Sequence, residues 1–146
     1  MSFFYYEALA QIGQSERIVQ DILANYEVMI QHGSSTVYEM YPNRTDGKVN
    51  PKQLTRSHCH AWSAAPGYFL TSEVLGVRRE SIGWKKLSIA PTPIAGLTWA
   101  KGSVPLPNGG RIDVSWSLAE NGKVLELSYD APEDHEVEVI APEAID

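Results

Sequence analysis

The spacing of apolar residues changes once along this chain, and that change constrains the fold more than any other feature. Up to about Gly76 the apolar residues recur at three- and four-residue steps, and from about Gly83 they alternate. A period near 3.6 suits one face of a helix and a period of 2 one face of a strand. The expectation is an α+β chain, with terminal helices over residues 1–80 and an antiparallel β-sandwich over residues 81–146.

The helical part reads as follows. Ser15 suits an N-cap with Glu16 in the first turn, and Ile18, Val19, Ile22, Leu23, Tyr26, Met29 and Ile30 then line one face until His32-Gly33 ends the pattern. Before it, Phe3, Tyr6, Leu9, Ala10 and Ile12 form a broad apolar arc closed by Gly13. The two make an antiparallel hairpin. Pro42 to Pro51 has turn chemistry and no period, so a loop is expected. A third helix is predicted from Trp62 or Ser63 to Val74, with Ser63 as its cap and Gly76 past its end. Pro66 fits its first turn, where a missing N–H has no intrahelical partner.

Five strands are predicted after it: 84–89, 97–100, 111–118, 124–129 and 136–140. Pro, Gly and Asn clusters separate them. Asn121-Gly122 is the strongest hairpin signal and joins the third to the fourth.

Net charge excludes two classes of partner. At −6, with no Lys/Arg cluster, the chain is expected to bind neither nucleic acid nor an anionic membrane surface. Phe3-Phe4-Tyr5-Tyr6 has no basic lead and meets Glu7, so it is neither signal peptide nor membrane span. The chain reads as soluble. Its compartment stays open, with the cytoplasm the favoured expectation.

Glu39 is the first candidate for chemistry. It lies just past a helix stop, between Tyr38 and Met40, where apolar neighbours could tune a carboxyl for proton transfer. The alternative is a solvated side chain or a pair with Arg44. His58, Cys59 and His60 invite a metal reading, but alternation in an extended segment turns Cys59 away from the histidines, so no metal or other cofactor is expected. Cys59 reads as a small buried residue. His60 is either a pocket residue or a structural cap for the next helix. Among the four tryptophans, Trp99 and Trp116 read as core and Trp62, beside His60, as a pocket wall.

Two ordered elements carry a resemblance: Gly33-x-x-Thr36-x-x-Glu39 and Cys59-His60-x-Trp62-Ser63. With Met29-Ile30-Gln31-His32 before them and Val74-Leu75-Gly76-Val77 after, they resemble the end of the catalytic domain of the α-L-rhamnosidases, glycoside hydrolase family 78. Ile89-Ala90-Pro91, Gly96 to Gly102 and Gly110 to Trp116 are similar to that family's C-terminal β-sandwich. The resemblance covers nearly the whole chain.

It implies an inverting hydrolysis of terminal α-L-rhamnose in an (α/α)6 barrel. On this chain Glu39 matches the general base that activates water, and His60 a residue that contacts the sugar, with Trp62 beside it. The family's general acid lies in earlier barrel helices for which this chain has no room. Tyr38 stands where relatives often carry Trp. The expectation is therefore the C-terminal piece of a longer rhamnosidase, nearly inert alone, its substrate in the parent a rhamnose-containing glycoside. The competing reading is a non-catalytic module that binds carbohydrate or forms a homo-oligomer through its exposed helical face.

Overall fold

The computed structural model describes residues 2–40, 44–45, 48–49, 57–94, 96–107, 109–119, 122 and 124–142. The chain divides into two units, Met1–Tyr68 and Phe69–Asp146. This division falls inside the third helix, whereas the change of period suggested a boundary after residue 80. Among the described residues no helix is long and apolar enough to cross a membrane.

In the first unit, α1 (Ser2–Gln11) and α2 (Ser15–Gln31) form the hairpin that the apolar spacing predicts. Tyr6, Leu9, Ile18, Val19, Ile22, Tyr26 and Met29 are buried, at the three- and four-residue steps of a helix face. Two tyrosine hydroxyls tie this layer: Tyr6 donates to Asp21 Oδ2 at 2.7 Å, and Tyr26 to the Ser63 carbonyl at 3.0 Å. The N-terminus of α2 differs from expectation. Ser15 is the first helical residue, Gln14 takes the cap position, and Gln14 makes no side-chain cap bond.

The loop expected over 42–51 contains a two-residue ladder, β1 (Arg44–Thr45) against β2 (Lys48–Val49); the rest of it lies outside the described residues. The third helix is broken into three kinds of turn. A 3-10 turn covers Ala61–Ser63, α3 covers Ala65–Phe69, and a π-helical stretch runs from Leu70 to Leu75. Ser63 is therefore not its cap. Pro66 does fall in the first turn of α3, and Gly76 ends the π-helical stretch in the left-handed conformation.

Among the described residues the second unit holds six strands: β3 (Val77–Arg79), β4 (Lys86–Ile89), β5 (Trp99–Pro105), β6 (Arg111–Ala119), β7 (Val124–Asp130) and β8 (Glu136–Val139). They form two sheets, β3-β4-β8 and β5-β6-β7. Val77, Leu87 and Ile89 of the first sheet share one core with Val104, Ile112 and Val114 of the second. That shared core makes the unit a sandwich. Trp116, 2% exposed, donates its indole N–H to the Val74 carbonyl at 2.9 Å, so the largest inward side chain is also satisfied.

Three details differ from the alternation pattern. Strand β3 was not foreseen, because Val77-Arg78-Arg79 is too short and too charged to show a period of its own; it is held by pairing with β4. Trp84 is not a strand residue. It follows Gly83 at a positive φ of 62°, an unusual backbone for an aromatic residue, and only then does β4 begin. Finally, β8 pairs with β4 in parallel, Lys86 opposite Glu136 and Ile89 opposite Val139, so the sandwich is not wholly antiparallel. Parallel neighbours need a long crossover, and the β5-β6-β7 meander supplies it. Within that meander β6 and β7 pair as far as Ala119 opposite Val124, the hairpin that Asn121-Gly122 predicts; Glu120, Asn121 and Lys123 lie outside the described residues.

Candidate functional site

The end of α2 sets up the site. After Gly33 at a φ of +70°, the chain leaves the helix, and Ser34 Oγ donates to the Thr36 carbonyl at 2.7 Å. Residues 36–39 then run against residues 57–60 in the opposite sense. Glu39 N–H donates to the Ser57 carbonyl at 2.8 Å, and His60 N–H to the Val37 carbonyl at 3.0 Å. Thr36 Oγ1 donates to the His58 carbonyl. Segments well separated in sequence are thereby laid side by side, and the two predicted site residues arrive on neighbouring positions.

Their side chains meet. Glu39 Oε2 stands 3.9 Å from His60 Nδ1, with the carboxylate side chain 16% and the imidazole 32% exposed. That separation is long for a direct hydrogen bond and suits a bridging water, or an ion pair when His60 is protonated. Trp62 packs on His60 with ring centroids 4.4 Å apart, and its indole N–H is donated to the Glu39 carbonyl at 3.3 Å. Glu39 is neither fully solvated nor sealed off. A carboxylate with limited access to water, an imidazole within reach and an indole wall is an arrangement able to orient a water molecule and a polyol.

His60 occupies the residue before the 3-10 turn in an extended conformation, yet its side chain makes no cap bond there. The structural-cap alternative therefore does not account for it. Cys59 is exposed, which corrects the buried reading. His58 stacks on Tyr38 with centroids 4.5 Å apart, a contact that the sequence did not reveal since the two lie on opposite segments. Trp99 is a further correction. It is 66% exposed, on the solvent face of β5, while Trp116 on the partner strand is buried.

The class comes first: a helical hairpin leading into a carboxylate–histidine turn, then a two-sheet sandwich, is similar to the C-terminal part of known glycoside hydrolases. Residues 76–145 match the family described as the bacterial α-L-rhamnosidase C-terminal domain. Residues 76–145 therefore belong to that C-terminal domain family, and nearly the whole chain is similar to rhamnosidases of glycoside hydrolase family 78. The GH78 family rhamnosidase of Bacillus sp. GL1 is 55% identical with a TM-score of 0.86, the match covering 97% of this chain and 15% of that one. An α-L-rhamnosidase of Alteromonas sp. (strain LOR) is 27% identical over 128 residues, which is 87% of this chain and 14% of that protein. The α-L-rhamnosidase of Aspergillus terreus, 20% identical with a TM-score of 0.77, covers 95% of this chain and 17% of its own, and shares the fold. This chain thus spans only a small part of each relative's length.

Proposed function

We propose that this chain acts as the C-terminal part of an inverting α-L-rhamnosidase, with Glu39 the base that activates water and His60 and Trp62 lining the sugar pocket. The observation that carries the reading is the placement of the Glu39 carboxylate 3.9 Å from His60 Nδ1, beside the Trp62 indole. In an inverting reaction the base must hold a water against the anomeric carbon, opposite an acid, so the two carboxyl groups stand about 6.5–9.5 Å apart. A water held between Glu39 and His60 has one acceptor and one ring nitrogen to fix its direction. The paired segments 36–39 and 57–60 hold both residues on hydrogen-bonded backbone, which suits a group whose position matters.

On this reading the acid, and the remaining grip on rhamnose, come from helices N-terminal to α1 that build the rest of an (α/α)6 barrel. The exposed apolar side chains of α1 and α2, among them Phe4, Leu23 and Ile30, support a larger helical layer around them. On the same reading the chain alone, without that acid, is nearly inert. The test is Glu39→Gln in the complete coding sequence, assayed on an aryl α-L-rhamnoside with the anomer of the product followed by proton NMR. The expected result is a loss of about 10²–10⁴-fold in kcat with an unchanged melting curve, and a product of inverted configuration in the parent. Full activity in the variant, or retention in the parent, overturns the assignment.

A further inference from the structure

Within the second unit, the solvent face of β5-β6-β7 carries a groove of about 410 Å³. Strand register sets its floor. Trp99 stands opposite Ser117 and Ser117 opposite Glu126, while Lys101 stands opposite Ser115 and Ser115 opposite Ser128. Alternate residues of a strand share a face, so these six form two rows of three on one side of the sheet. The intervening row, Ala100, Trp116 and Leu127, turns inward to the core. All six outward residues line the groove.

The volume lies within the usual range of ligand clefts, roughly 300–1,000 Å³. Its chemistry is unusual for a plain solvent face. A tryptophan left 66% exposed keeps in water much of an apolar surface that such side chains normally bury. Around that indole stand three hydroxyls, one ammonium and one carboxylate. Rows are about 7 Å apart along the strands and strands about 4.8 Å apart, a spacing on the scale of a sugar ring. A pyranoside offers an apolar C–H face to an indole and a rim of hydroxyls that both donate and accept. Lys101 donates, Glu126 accepts, and the serines do either. Lys101 and Glu126 cancel in charge, and Asp113 lies near Lys101, so an anionic ligand finds no net attraction.

We propose that this face is a second carbohydrate-binding site, taking a neutral pyranoside stacked on Trp99. It stands independently of the role given to Glu39. The 146-residue chain is titrated with methyl α-L-rhamnopyranoside, methyl β-D-glucopyranoside, methyl β-D-galactopyranoside and methyl α-D-mannopyranoside, with galacturonate and inorganic phosphate as charged probes, while amide NMR shifts are followed. At least one neutral pyranoside is expected to give saturable shifts at Trp99, Ser117 and Ser128. Trp99→Ala, checked for an unchanged amide spectrum elsewhere, is expected to weaken binding about tenfold or more, and Trp99→Phe to retain most of it. Lys101→Ala, at an exposed position, serves as a second variant and is expected to weaken it severalfold. No saturable shift with any neutral pyranoside, shifts confined to residues 36–62, preference for the charged probes, or undiminished binding in both alanine variants would each overturn the proposal.

Discussion

The Trp62 indole donates its N–H to the carbonyl of Glu39, while His60 Nδ1 stands 3.9 Å from the carboxylate of the same residue. The backbone and the side chain of Glu39 are thus both met by one short turn. Because Trp62 also packs on His60, a change at the indole reaches the carboxylate by two routes.

Trp62→Phe keeps an aromatic ring against His60 but removes the donor to Glu39. That bond is solvent-exposed, so the stability of the chain is expected to change by less than about 1 kcal/mol in urea denaturation. On the proposed reading of Glu39 as the base of a longer rhamnosidase, kcat of that enzyme is expected to fall by about ten- to a hundredfold through misplacement of the carboxylate, with KM for an aryl rhamnoside moved less. An unaltered kcat would remove Trp62 from the positioning of Glu39.

Gly76 is required where it stands. Its φ is +86°, and a Cβ there would meet Pro91 N at 2.4 Å and the Ala90 carbonyl carbon at 2.5 Å, both backbone atoms that cannot step aside. Gly76→Ala is expected to cost about 3 kcal/mol or more, or to prevent the sandwich from folding, since a left-handed penalty of roughly 1–2 kcal/mol is joined by a clash. Gly13→Ala, at a φ of +70° with nothing within 4 Å of the added Cβ, is the control and is expected to cost only the left-handed penalty. Equal midpoints in thermal unfolding would refute the difference.

Leu23 and Ile30, seven residues apart on α2, are 60% and 74% exposed on the same helix face. In this chain taken alone, that face is expected to drive reversible self-association, visible as a concentration-dependent sedimentation coefficient. Leu23→Lys together with Ile30→Lys is expected to give a monomer at every concentration with the helical signal retained. A parent-sequence monomer at the highest concentration would show that the face needs no cover.

Surface charges of the sandwich set its response to pH. Hydrogen bonding from Ser103, helped by Arg111, holds the Asp113 carboxyl below its ordinary 3.8, and a bond from Lys85, helped by His135, does the same for Asp134. Each is lower in the folded chain, so its stabilisation is present above 3.8 and is lost as pH falls through the folded value. Lys86 runs the other way. Glu136 raises it above 10.5, so its contribution is present below 10.5 and is lost as pH rises through the folded value. Urea midpoints are expected to be flat through neutrality, with a shallow acid slope reduced in Asp113→Asn and Asp134→Asn and a shallow alkaline slope reduced in Lys86→Met. An acid slope undiminished in the double Asn variant would assign it to other carboxyls.

Much of this was readable residue by residue. Ile18, Val19, Ile22, Tyr26 and Met29 announced α2, and the alternation Ile112, Val114, Trp116 announced β6, because a side-chain period is a local property of the backbone. Glu39, His60 and Trp62 could be picked out as candidates, but their separations could not, since residues 36–39 and 57–60 are brought together by contacts between segments distant in the chain. Trp99 misled for a related reason. Alternation assigns a residue to one of two faces without saying which face meets the core.

By itself, then, the sequence determined where helices give way to strands, which residues share a face, that β6 turns back into β7, and which family the chain resembles. The tertiary structure decided the rest: that β8 returns parallel to β4, that Val77–Arg79 becomes a strand, that Trp116 is buried while Trp99 faces water, and that Glu39 stands beside His60. Elements follow from spacing within a few residues, whereas register, strand sense and the facing of side chains are settled by contacts between segments far apart in the chain.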